Sequence, residues 1–123
     1  LNEPCEALLE ALGNIGVSSP DVLNVITPFS DHPRPLVRAA ACRALLQLMK
    51  EQRWAVELEK LLQHPEPLVR RGVLLDLGAT GWTAALPAIE SASVEASLKL
   101  VALRGLAEQS EDTKVLDAMD RLL

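Results

Sequence analysis

Aromatic side chains are nearly missing from this 123-residue chain, which has no Tyr, one Phe and two Trp. Three aromatics cannot build a stacking platform for single-stranded bases. Cations are also in deficit: 12 Lys and Arg against 17 Asp and Glu leave a formal charge of −5. That sign argues against non-specific nucleic-acid binding. Two cysteines, Cys5 and Cys42, are too few for a disulfide framework at this length, which fits a reducing, cytoplasmic setting. No apolar run reaches the ~18 residues of a membrane span, so no membrane role is expected. A basic-then-apolar leader and an initiator Met are both lacking, and Leu1 to Leu12 already read as helix. The expectation is therefore a chain that starts inside a larger protein. Residues that favour strands are scarce too: Val, Ile, Thr, Phe and Trp total 20, whereas Leu and Ala supply 40. This balance predicts one all-α domain over residues 1–123.

What the chain does have is an internal repeat. His32-Pro33-Arg34-Pro35-Leu36-Val37-Arg38 recurs as His64-Pro65-Glu66-Pro67-Leu68-Val69-Arg70, identical at six of seven positions. A weaker copy aligns Leu98-Lys99 with Val69-Arg70, and Leu12-Gly13-Asn14-Ile15-Gly16 matches Leu77-Gly78-Ala79-Thr80-Gly81. A period of roughly 30 residues in a helical composition means stacked two-helix repeats. Pro35 and Pro67 suit first helical turns, and the Gly after a helix suits a left-handed cap. Helices are expected near 3–13, 20–30, 34–49, 52–62, 66–78, 82–91, 94–108 and 112–122, the last as a capping helix. These are the marks of an α-solenoid of about four HEAT-like repeats in a right-handed superhelical stack. That pattern includes an Asp/Arg ladder, which Asp31 and Arg38 fit; Gln63 breaks it beside Arg70.

Catalytic signatures are absent. There is no glycine-rich phosphate loop and no Ser/His/Asp arrangement, and two His with two Cys in unrelated places make no zinc site. His32 and His64 occupy equivalent positions, which favours a loop residue that helps cap the next helix over a ligand pair. Cys42 reads as a small buried side chain and Trp54 as core. Six of the 12 cations, Arg38, Arg43, Arg70, Arg71, Lys99 and Arg104, fall in the second helices of the pairs. Those helices normally line a solenoid's concave face, where Arg forks could clamp carboxylates. Arg38, Arg70 and Lys99 could instead form the internal ladder; Arg71 and Arg104 have no ladder role. Trp82, at a turn, is either inter-repeat packing or a flat wall for a conjugated ligand. Asp76 interrupts an apolar stripe beside what reads as a glycine-capped helix end, so it is either paired with a neighbouring Arg or functional.

A narrower resemblance covers residues 4 to 108. Asp76-Leu77-Gly78-Ala79-Thr80-Gly81-Trp82 and Ser97-Leu98-Lys99-Leu100-Val101-Ala102-Leu103-Arg104 resemble the "DLGATGY" turn and "SLKLIALR" helix of E-type phycobilin lyase subunits. Glu6 to Gly13 resembles their "YEAIIEALG", and Val37 to Leu48 their "VQYAAARALFQL". The chain departs from the pattern at Cys5, Trp82 and Gly105, which replace two Tyr and an acidic residue. The resemblance covers about the C-terminal half of such a subunit. It implies a cyanobacterial enzyme that works with an F-type partner. Together they attach a linear tetrapyrrole, usually phycocyanobilin, by a thioether bond to a cysteine of a phycobiliprotein α subunit. The bilin is then a substrate, no cofactor is needed, and the nucleophile belongs to the acceptor. On this resemblance Arg71, Lys99 and Arg104 would hold the propionates, Trp82 would cover the conjugated surface, and Asp76 would deliver a proton. The competing expectations are a non-catalytic HEAT adaptor that binds a protein partner and a relative that removes bilins during phycobilisome degradation.

Overall fold

The computed structural model describes residues 4–123. Among them are eight α-helices and no strand: α1 (Pro4–Ile15), α2 (Pro20–Ile26), α3 (Pro35–Met49), α4 (Gln52–Leu61), α5 (Pro67–Thr80), α6 (Leu86–Ser91), α7 (Ala96–Ser110) and α8 (Thr113–Leu122). Residues 1–3, which include the first residue of the helix expected over 3–13, lie outside the described residues. Proline stands in the first turn of α2, α3, α5 and α6, where a missing N–H removes no helical bond. Ser19 Oγ caps α2 by accepting from Val22 N–H at 3.3 Å, and Asp112 caps α8 through Lys114 N–H at 2.9 Å.

Several expected helices differ in extent, and the one expected over 82–91 is a 3₁₀ turn at Thr83–Ala85 followed by α6. The segment expected as one helix over 20–30 tightens into a 3₁₀ turn at Thr27–Asp31, because Pro28 has no N–H with which to continue α2. The helix expected to stop at Gly78 continues to Thr80, and Gly81 takes the left-handed conformation at φ 71°. Gly78 is therefore helix interior, not a cap.

The chain divides into two compact units, residues 1–58 and 59–123. In the first, α3 packs on α1 and on the 3₁₀ turn. A Cβ on Gly13 would lie 2.9 Å from Ala44 Cα, so α1 and α3 meet backbone to backbone. Leu9, Ile26, Leu45 and Leu58 are fully buried there, Cys42 is 2% exposed and Trp54 is 8% exposed, as expected of core. Apolar surface remains on α1, with Leu8 51% and Ile15 66% exposed.

In the second unit, α7 packs on α5, α6 and α8. A Cβ on Gly78 would come within 2.6 Å of Ala102 O, and one on Gly105 within 2.9 Å of Gly78 O. This crossing fixes the register of the two helices. Val73, Leu74, Leu77, Ile89, Leu103 and Leu106 are buried, each contributing about 1.5–3 kcal/mol. Helix α8 buries Val115 and Ala118, but Leu116 on its other side is 53% exposed. Apart from Leu116, the exposed residues of α8 are Thr113, Lys114, Asp117, Asp120 and Arg121, the polar outer face that a capping helix carries.

Candidate functional site

The repeated seven-residue motif is a helix-start device. His32 Nδ1 accepts the Arg34 N–H at 3.1 Å, and His64 Nδ1 accepts the Glu66 N–H at the same distance. Arg34 and Glu66 are the N-caps of α3 and α5, and neither caps with its own side chain. Each imidazole thus supplies the local acceptor, as the capping reading expected. Arg38 Nη1 donates to the carbonyls of His32 and Pro33 at 3.0 and 3.2 Å. Arg70 Nη1 donates to those of His64 and Pro65, both at 2.9 Å, and its Nε reaches Ser93 O at 3.0 Å. The ladder arginines therefore hold backbone carbonyls. This explains why Gln63 can replace the Asp: a carbonyl is supplied by any residue. Lys99 Nζ donates to Glu90 O at 2.7 Å, the same duty in the third copy.

The other candidates are placed differently. Arg71, one residue and about 100° around the helix from Arg70, points away from those carbonyls to Glu95. Its Nε and Nη2 donate to Glu95 Oε1 and Oε2 at 2.9 and 3.1 Å, with the side chains 45% and 43% exposed. The Arg71 hydrogen bond holds the Glu95 carboxyl below the usual glutamate value. A hollow of about 380 Å³ adjoins the pair, walled by Pro67, Ala92 and Val94.

Arg104 lies on the exposed side of α7, paired with Glu108 one turn on at 2.9 Å. It borders a second, larger groove of about 650 Å³ between α7 and α8, lined by Leu100, Val101, Leu116, Met119 and Leu123, with Asp120 at its rim. Arg104 is nine residues beyond Glu95, about 13 Å along the helix. The sequence-derived set is thus split over separate places: Arg71 in the smaller hollow, Arg104 on the larger groove, and Lys99 on a backbone carbonyl. Trp82 is half-buried at the turn after α5, where its backbone N–H donates to Thr80 Oγ1 at 3.3 Å. Asp76 is half-buried on α5. Neither lines the Arg71 hollow or the Arg104 groove.

Two features were missed in the sequence. Glu95 is the N-cap of α7, yet its side chain makes no cap bond; the signal was an acidic residue in the first turn of the helix expected over 94–108. The apolar groove was foreshadowed only by Leu100-Val101 lying beside the buried Ala102-Leu103. Among the described residues, no group of three His, Cys, Asp or Glu could hold a metal ion. No described helix is long and apolar enough to cross a membrane.

These features define an all-α protein built from helix pairs. Residues 29–107 match the family model described as HEAT repeats, and the chain belongs to that family. The resemblance carried by the motifs also holds over the full chain. It is 68% identical over 123 residues to the bilin biosynthesis protein RpcE of Synechococcus sp. (strain WH8020), covering 100% of this chain and 46% of that protein. It is 42% identical over 125 residues to the phycocyanobilin lyase subunit alpha of Nostoc sp. (strain PCC 7120), covering 100% of this chain and 45% of that one. The solved complex of CpcE and CpcF of phycocyanin lyase from Nostoc sp. PCC7120 superposes with a TM-score of 0.89 at 43% identity, over 98% of this chain and 47% of the matched chain. The chain spans about half the length of the relatives it matches.

Proposed function

We propose that the protein containing this chain is an E-type bilin lyase subunit that, with an F-type partner, attaches a linear tetrapyrrole to a cysteine of a phycobiliprotein α subunit. The observation that carries this reading is the 68% identity, across every residue of the chain, to a bilin biosynthesis protein. The α7–α8 groove supports it. Its volume of about 650 Å³ falls in the range of small-molecule sites. Its aliphatic floor suits a conjugated body, and Arg104 at its edge suits a propionate.

The chemistry asked of the protein is modest. The acceptor thiol adds to the ethylidene group of ring A: the S–H bond and one C=C π bond break, a C–S bond forms, and the bilin gains one proton from the donor, which the thiol's proton restores. Nothing leaves. The acceptor supplies the nucleophile, so the lyase contributes positioning and one proton donor. Asp76 is the nominated donor and Trp82 the nominated wall. Lys99 is the weakest of the nominated propionate ligands, since its ammonium already serves the Glu90 carbonyl.

The test is co-expression of the full-length subunit with an F-type subunit, a bilin source and a phycobiliprotein α acceptor, read by zinc-induced fluorescence of the acceptor. A covalently coloured acceptor is expected. A folded, assembled pair that colours nothing would favour the adaptor reading, to which the exposed Leu116 and Val101 lend themselves.

A further inference from the structure

We infer that Arg71 is a carboxylate seat which Glu95 fills in the absence of ligand, so that Glu95 is an internal competitor that sets how tightly a substrate carboxylate is held. The source of that carboxylate rests on the bilin reading above; the seat itself rests on geometry.

Two adjacent arginines on α5 have opposite commitments. Arg70 spends its donors on three backbone carbonyls and is not available to a ligand. Arg71 presents its Nε–Nη2 edge to two oxygens of one carboxylate, 24 residues away in sequence. That fork is the arrangement by which a guanidinium binds any carboxylate, a propionate included. The pair is nearly half exposed on both sides, so solvent screens it and exchange for another carboxylate costs little. Glu95 is spared from capping its own helix, since its side chain makes no cap bond at that position. Space for the carbon skeleton of an incoming ligand is present beside the fork, between Pro67, Ala92 and Val94. The lowered pKa of Glu95 keeps it ionised at neutral pH, so the competition operates under working conditions.

The alternative duty for the pair is mechanical, a staple from α5 to the start of α7. The two are separated by bilin binding to the full-length subunit with its F-type partner, using phycocyanobilin as the free acid and as its dimethyl ester, with melting temperature measured in parallel. An exposed pair of this kind is worth up to about fivefold in affinity. Glu95→Gln should therefore bind the free acid about two- to fivefold more tightly and leave the ester unchanged. Arg71→Ala should weaken the free acid about tenfold and spare the ester. Glu95→Gln that melts lower and binds the free acid no more tightly makes the pair a staple and overturns the inference. So does an equal gain for acid and ester. If all variants bind bilin equally, the seat is refuted and the lyase reading stands. If the wild-type pair binds no bilin at all, both fall together.

Discussion

Gly78 sits where a methyl group has no room. In an exposed helix, Gly→Ala gains about 1 kcal/mol of helix propensity. Here a Cβ would press on the Ala102 backbone at 2.6 and 2.7 Å, and backbone cannot rotate aside. Gly78→Ala should cost a net of about 2–3 kcal/mol, and Gly105→Ala, at 2.9 Å from Gly78 O, somewhat less. Thermal unfolding of the full-length protein checks both, and a rise in melting temperature for Gly78→Ala would contradict this crossing. The same scale decides Asp76. Asp76→Asn keeps shape and hydrogen-bonding capacity but cannot give up a proton at neutral pH. With Asp76 as donor, the variant binds bilin normally and transfers it about 10²-fold more slowly. A lower melting temperature with normal transfer would instead make Asp76 a structural partner. The capping role of His32 and His64 was readable because it lies within seven residues; the purpose of Gly78 was not, because its neighbour lies 24 residues away.

At the scale of elements, the second helices of the pairs all end in the same way. Each of α1, α3, α5 and α7 is followed by a residue at positive φ: Gly16 at 78°, Lys50 at 55°, Gly81 at 71° and Glu111 at 56°. Only the two glycines advertised this in the sequence. Lys50 and Glu111 adopt the conformation because the next helix must start at once, and they accept a strain that glycine avoids. The starts are governed by the His-Pro motif and its Arg. Arg70→Ala should destabilise by about 1.5–3 kcal/mol, since three carbonyls lose their donor. Arg70→Lys should recover less than half of that, because an ammonium cannot span both the His64–Pro65 carbonyls and Ser93 O. Chemical denaturation curves with unchanged slope test this pair. Equal stability of the Lys variant and the wild type would show that charge alone, and not the fork, holds the loop.

At the scale of the whole molecule, apolar surface is the outstanding property of an otherwise acidic chain. Leu68 is 71%, Val101 55% and Leu116 53% exposed. Burying such side chains is worth about 1.5–3 kcal/mol each, and an exposed apolar patch commonly marks a binding surface. Val101 and Leu116 both line the α7–α8 groove. If the groove holds the bilin as proposed, Val101→Asp and Leu116→Asp should leave the helical circular dichroism intact and weaken bilin binding at least tenfold, by adding an anion next to the conjugated body. Unchanged affinity with loss of the F-type partner on size-exclusion chromatography would reassign the groove to protein docking.

The sequence by itself determined the all-helical class, the pairing of helices at a period of about 30 residues, the proline starts and the histidine caps. All of these are local: helical periodicity, a missing N–H and a side chain two residues from the amide it caps. It also carried the HEAT-repeat family, because the repeat runs through most of the chain. Only the tertiary structure decided what the cations do. Arg70 and Arg71 are neighbours of one chemical type, yet one binds backbone and the other a carboxylate. Arg70 turns back to carbonyls five and six residues before it, whereas Arg71, about 100° around the helix, meets a helix start 24 residues away. Pairings at that distance depend on how helices pack, and no local pattern records them.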